Sequence, residues 1–172
     1  MVSQNLKPKS ICFKKAEKNM LTIDFLEDHL DTIPTLVKWF RNQWTEYYAN
    51  SSDEAMQQDF LEDILRDRLP SRLVAFEGNE LVGTIVLREG DAELSPEHHP
   101  ELGGLYVAES HRGHGIGTEL IKAGMKLAQD QGYSEISATT VKAAGILEGL
   151  GWKFIKKIQY PDGEVSLYHF KI

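Results

Sequence analysis

Apolar residues along this chain follow two rhythms, and the changes between them mark out its elements. Residues 20–26, MLTIDFL, form a short β-rich run. Ile33, Leu36, Val37, Phe40 and Trp44 then recur at three- and four-residue spacing, which places them on one helical face, with Pro34 tolerated in the first turn. Ser51 and Glu54 have the spacing of a capping box, and Met56, Phe60 and Ile64, with Leu61, Leu65 and Leu69, predict a second helix that Pro70 ends. Residues 73–76 and 81–87 are strand-like and meet through Gly78-Asn79, a hairpin signal. Residues 91–101 are polar, carry Pro96 and Pro100, and read as a loop.

The second half has a different order. LGGLYV predicts a strand, a glycine-rich turn opens a helix from about Gly115 to Gln131, and SEISATT predicts the next strand. Strand, turn, helix, strand is a βαβ unit, whose strands pair in parallel through a right-handed crossover. Ala143, Ile146, Leu147 and Leu150 then predict a short helix stopped by Gly151. WKFIKKIQY and EVSLYHFKI flank Pro161-Asp162-Gly163 as a C-terminal hairpin.

With 172 residues, 41% hydrophobic and 26% charged, the chain suits one globular domain over residues 20–172. Residues 1–19 lack sustained periodicity, apart from a strand-like ICF, and are expected to form a flexible extension. No apolar run is long enough for a membrane-spanning helix, so a cytoplasmic protein without a membrane partner is expected. Cys12 is the single cysteine and has no intramolecular partner. The net charge is −7, and the extension carries +4 of its own, leaving −11 on the rest. Such a body repels nucleic acid and attracts cationic small molecules or basic peptides. A homodimer is compatible with the sequence.

The chemistry concentrates in VAESHRGHGIG, residues 107–117. A helix N-terminus exposes unpaired N–H groups with about half a positive charge, and glycines let a bulky anion reach them. Gly113, Gly115 and Gly117 therefore suggest a diphosphate cradle, with Arg112 and Thr118 at its rim. A P-loop fits badly because Thr118, not the lysine of a Gly-Lys-Ser/Thr ending, directly follows Gly117. A dinucleotide fingerprint fits poorly, since residues 108–112 separate the strand from the glycines and Glu135 begins the next strand rather than ending it.

The segment resembles the acetyl-CoA signature of the GNAT superfamily of N-acyltransferases, Gln/Arg-x-x-Gly-x-Gly/Ala, through Arg112, Gly115 and Gly117. ILEGLGW is similar to the family's second motif, L-Y-E-K-L-G-F, with Gly151-Trp152 at its end and the small Ala143 one turn earlier. The element order from Met20 to Ile172 is also similar. The resemblance implies an α/β fold: a mixed, mostly antiparallel twisted sheet of about seven strands, a parallel splayed βαβ unit, and about four flanking helices. It implies acetyl-CoA as co-substrate, with the diphosphate at Arg112, Gly113, His114, Gly115, Ile116, Gly117 and Thr118. Pantetheine would run along Leu105, Tyr106 and Val107, and Gly103-Gly104 hint at a bulge or close backbone approach there. Thr140 stands near the family's usual Asn.

The reaction so implied is direct attack by a neutral amine on the thioester in a ternary complex. Neutralising an alkylamine at pH 7 costs roughly 4–5 kcal/mol, against about 2 kcal/mol for expelling a thiolate unassisted. The base therefore matters more than the acid. Glu101, entering the strand before the cradle, is the first choice of base, with Glu93, His98 and His99 as substitutes. Leu147 occupies the position where the family usually carries a proton-donating Tyr, so either Tyr106, Tyr133 or water substitutes or the thiolate leaves unassisted. Adjacent His98-His99 point oppositely in an extended chain, so no metal is expected. His111 and His114 are expected to be exposed.

The acceptor, an amine-bearing small molecule or peptide, is expected over residues 39–53. Trp44, Tyr47 and Tyr48 would form an aromatic wall there, with Glu46 and Asp53 as partners, although Trp44 also continues an apolar stripe. Leu147 equally motivates a different reading: a CoA-binding regulatory or interaction module with little turnover. A nucleotide-binding protein unrelated to CoA would rest on the glycines alone.

Overall fold

The computed structural model describes residues 20–91, 99–160 and 163–172. The elements are β1 (Leu21–Phe25), a 3-10 segment (Leu26–Thr32), α1 (Ile33–Gln43), α2 (Asp53–Glu62), β2 (Ser71–Glu77), β3 (Glu80–Arg88), β4 (Glu101–Val107), α3 (Ile116–Asp130), β5 (Glu135–Thr140), α4 (Ala144–Gly149), β6 (Lys153–Tyr160) and β7 (Gly163–Lys171). They build one seven-stranded sheet in the order β1-β2-β3-β4-β5-β7-β6. Every neighbouring pair is antiparallel except β4 and β5. The mixed sheet, the parallel βαβ unit and the four α-helices agree with the sequence expectation. The expected extension, residues 1–19, lies outside the described residues, as do Glu93 and His98.

Each face of the sheet has its own core. α3 and α4 close one, where Leu73, Ile85, Leu102, Leu120, Ile136, Leu147 and Trp152 are buried together. α1 and α2 close the other, over Leu36, Phe40, Met56, Phe60, Val74 and Tyr106. Burying side chains of this size contributes about 1.5–3 kcal/mol each, so either layer can hold its helices against the sheet. Strand alternation decides which residues reach which core. In β5, Ile136 and Ala138 enter the α3 core, which turns Glu135, Ser137 and Thr139 to the opposite face.

Two local details of α2 differ from expectation. Its N-cap is Ser52, whose hydroxyl accepts the Ala55 N–H at 3.1 Å, not Ser51. The helix also ends at Glu62, well before Pro70, because Asp63 is committed to β2. The Asp63 carbonyl accepts the Arg72 N–H at 2.8 Å, and its carboxylate holds the buried Arg72 guanidinium at 2.7–2.8 Å. Ile64 then pairs with Ser71 as an isolated bridge, so Leu65 and Leu69 never join the helical stripe. The C-terminal hairpin forms as expected, with Tyr160 opposite Gly163, although Pro161 and Asp162 lie outside the described residues.

Candidate active site

Strands β4 and β5 are joined at only two positions, Glu101 with Ser137 and Leu102 with Ala138. Past Leu102 they part, and the sheet opens toward the C-terminal ends of both strands. A register shift against β3 between Thr84 and Val86 accompanies the opening, and Gly104 there has φ +55°, a left-handed conformation natural to glycine. The bulge suggested by Gly103-Gly104 is thus present. Leu105 and Val107 pack toward α3, whereas Tyr106 points to α1. Tyr106 stacks on Trp39 with ring centroids 4.8 Å apart and planes 24° from parallel.

Beyond β4 the chain makes a short 3-10 turn, Glu109–His111, and enters α3. Gly113 and Gly115 have φ +79° and +85°, and nothing lies within 4 Å of where a Cβ would stand on either. The first α3 hydrogen bond runs from the Glu119 N–H to the Gly115 carbonyl. The N–H groups of Ile116, Gly117 and Thr118 therefore precede the helical ladder and face the turn. The Ile116 side chain is core, so only its backbone is available to a ligand. Arg112 is tethered at the rim: its Nε donates to the Val107 carbonyl at 2.9 Å, and its guanidinium lies 5.4 Å from the centre of the Tyr106 ring.

His114 is exposed beside the turn, as expected. His111 is not: its side chain is half-buried, its Nδ1 lies 2.8 Å from the Ser110 hydroxyl, and its Nε2 faces Glu77 and Glu80 at 3.8 and 3.9 Å. Thr140, at the end of β5, accepts the Lys142 and Ala143 N–H groups at 3.2 and 2.8 Å and so organises the entry to α4. Leu147 is buried in the α3 core. Tyr133 precedes β5 at the closed end of the strand pair, away from the opening.

Glu101 is almost wholly buried at that junction. Its Oε1 accepts the Thr139 hydroxyl at 3.0 Å and lies 3.4 Å from Arg88 Nη2. Arg88 in turn lines a cavity of about 240 Å³ between α1, α2 and the sheet, walled by Phe40, Tyr47, Tyr48 and Phe60 and edged by Asp59, Glu62 and Asp63. Tyr47 and Tyr48 belong to the expected acceptor wall. Trp44 instead packs on Phe40, 4.7 Å between ring centres. Glu46 does not line the cavity, and Asp53 binds Arg41 at 2.6 Å. Asp59 and Glu62, one helical turn apart on α2, supply the negative edge that sequence reasoning assigned elsewhere.

Two phenols respond to this setting. Burial and the neighbouring Tyr47 push the Tyr48 pKa up, and Arg72 partly offsets them. Burial, Asp91 and Glu101 raise that of Tyr160, partly offset by Arg88. Tyr160 carried no signal in the sequence, because only the β6–β7 hairpin brings it near Glu101 and Arg88.

The profile of the Acetyltransferase (GNAT) family matches residues 33–146, which contain the splayed strands, the glycine turn and α3. Human N-acetyltransferase 8B is 32% identical over 134 residues, covering 72% of this chain and 56% of that protein. The chain spans about half the length of the curated relatives it matches. Among solved structures, aminoglycoside 6'-N-acetyltransferase complexed with coenzyme A superposes with TM-score 0.70 at 18% identity, covering 87% of this chain and 96% of that one. A Salmonella typhimurium protein solved with its cofactor acetyl-CoA gives TM-score 0.71 at 15% identity, covering 89% and 94%. These two likenesses speak to the fold, and the profile speaks to ancestry: the chain belongs to the GNAT acetyltransferase family.

Proposed function

We propose that the protein transfers an acetyl group from acetyl-CoA to a primary amine on a small molecule or peptide. The observation that carries this reading is the parting of β4 from β5 directly ahead of an α3 N-terminus with open space at Gly113 and Gly115. One structural neighbour was solved with acetyl-CoA and another with coenzyme A, and the relatives matched in sequence are N-acetyltransferases. In this reading the backbone N–H groups of residues 113–118 hold the diphosphate, Arg112 adds a cation, and Leu105, Tyr106 and Val107 border the pantetheine arm.

The amine enters through the cavity over α2. Asp59 and Glu62 attract it as a cation, and Tyr47 and Tyr48 flank it. It must lose a proton before attack, and Glu101 receives that proton through water, with Arg88 and Thr139 holding the carboxylate in one orientation. The nitrogen then attacks the thioester carbonyl, a backbone N–H of β4 stabilises the oxyanion, and the C–S bond breaks. With Leu147 unable to donate, the thiolate takes its proton from Tyr106, from Tyr160 near Glu101 and Arg88, or from solvent.

Purified protein mixed with acetyl-CoA and a panel of amines tests this by release of free thiol. Amine-dependent release supports the transfer. Tight CoA binding with no release across a broad panel supports instead a CoA-binding module without turnover, the reading that buried Leu147 favours.

A further inference from the structure

Away from the active-site opening, at the closed end of the β4–β5 pair, three side chains from separate parts of the chain converge. His99 lies two residues before β4, Glu135 begins β5, and His169 sits on β7 opposite Ser137. Strand alternation turns Glu135 and His169 to the same face, since Ile136, Tyr168 and Phe170 go to the α3 core. The Glu135 Oε2 is 2.9 Å from His99 Nε2 and 3.6 Å from His169 Nε2, and the three candidate ligand atoms all lie within 4.8 Å of one another. The imidazole rings are 5.1 Å apart, tilted by 39°.

We propose that His99, Glu135 and His169 form a binding site for a borderline divalent transition metal, of the Zn²⁺ type, with water as the fourth ligand. Ligand atoms about 2.0–2.1 Å from a tetrahedral Zn²⁺ stand about 3.3 Å from each other. The two measured separations to Glu135 bracket that value, so small side-chain rotations suffice. Two imidazoles and one carboxylate suit Zn²⁺ better than the oxygen-seeking Mg²⁺ or Ca²⁺. The outer shell is also supplied: Lys171 Nζ lies 3.2 Å from the other Glu135 oxygen and fixes the carboxylate from behind.

His169 also lines a cavity of about 140 Å³ with Gly151, Lys153, Phe170 and Lys171. Lys153 and Lys171 both face this region, and their positive charge tunes affinity downward. A bound ion would tie the approach to β4, the start of β5 and the end of β7 into one unit. It would thereby brace the only two rungs that join β4 to β5. His98 and His99, pointing oppositely in an extended chain, cannot chelate one ion as a pair. The partners of His99 come instead from 36 and 70 residues downstream, and His98 lies outside the described residues.

The test uses the full chain, stripped of metal with a chelator, and Zn²⁺ and Co²⁺ as probes. Zn²⁺ titrated against a chromophoric chelator should bind one per chain and raise Tm, and Co²⁺ should give the intense visible bands of a tetrahedral N/O site. His169→Ala and Glu135→Gln should each weaken Zn²⁺ by at least about 10- to 100-fold, the loss that even outer-shell changes cause, while His29→Ala should change nothing. Imidazole NMR of the unaltered protein guards against variants that fail to fold: Zn²⁺ should shift the His99 and His169 resonances and leave those of His29 and His111 in place. Absence of stoichiometric binding would overturn the proposal. So would binding that survives both substitutions, or Zn²⁺ shifts confined to other histidines.

Discussion

The Glu101 carboxylate accepts the Thr139 hydroxyl at 3.0 Å across the point where β4 and β5 begin to part. One hydrogen bond thus ties the candidate base to the strand on the far side of the opening. Arg88 grips the same oxygen from β3 at 3.4 Å and lines the cavity between α1, α2 and the sheet. If Glu101 receives the amine proton, Glu101→Gln should lower the rate by about 10²–10⁴-fold near pH 7. The deficit should shrink at high pH, where the amine loses its own proton. A pH–rate profile of thiol release for both proteins checks this, and a deficit independent of pH would remove Glu101 from the role.

The cavity proposed to admit the amine carries its negative edge on α2. Asp59→Asn combined with Glu62→Gln should raise KM for a cationic amine, leave kcat less affected, and weaken the dependence of kcat/KM on salt. Steady-state kinetics at two ionic strengths measures all three. An unchanged KM would move the amine's entry elsewhere.

Gly115 adopts φ +85° with open space where a side chain would begin. Gly115→Val should cost about 1–3 kcal/mol of backbone strain, and it should also fill the space assigned to the diphosphate. A folded variant with no measurable CoA binding by calorimetry is the expected outcome. Unchanged affinity would place the diphosphate outside the turn.

Arg72 is buried beneath α2, against the rings of Phe40 and Phe60, and Asp63 is its carboxylate partner. Removing that partner leaves a cation in an apolar layer. Asp63→Ala should therefore destabilise the protein by about 3–5 kcal/mol, read as a shift in the denaturation midpoint.

The Tyr168 hydroxyl donates to Glu148 at 2.7 Å, and this bond, together with burial, raises the phenol pKa. A raised folded-state pKa means stabilisation that is complete below the unfolded value, about 10, and lost as pH rises through the folded one. Tyr168→Phe should therefore be less stable than the parent at about pH 8, and the gap should narrow above about pH 10. Denaturant titrations across that range report it.

Periodicity and turn chemistry made most elements legible, including α1, the β2–β3 hairpin and the βαβ unit. What escaped depends on contacts remote in sequence. Leu65 and Leu69 continue a helical rhythm, but Arg72 draws Asp63 into a strand-side bond and ends α2 first. The 3-10 segment Leu26–Thr32 has no apolar period to betray it, and two of its residues, Leu26 and Thr32, are buried by α1 and β2. At the site, the glycine turn was readable because its backbone demands are local. The cavity's acids were not, since Asp59 and Glu62 become neighbours of Tyr47, Tyr48 and Arg88 only when α2 folds over the sheet.

A crystal structure of the protein with coenzyme A tests the central claim most directly. Diphosphate oxygens should lie within hydrogen-bond distance of the Ile116, Gly117 and Thr118 N–H groups, with the sulfur end between β4 and β5. Coenzyme A bound anywhere else, with that turn left to solvent, would contradict it.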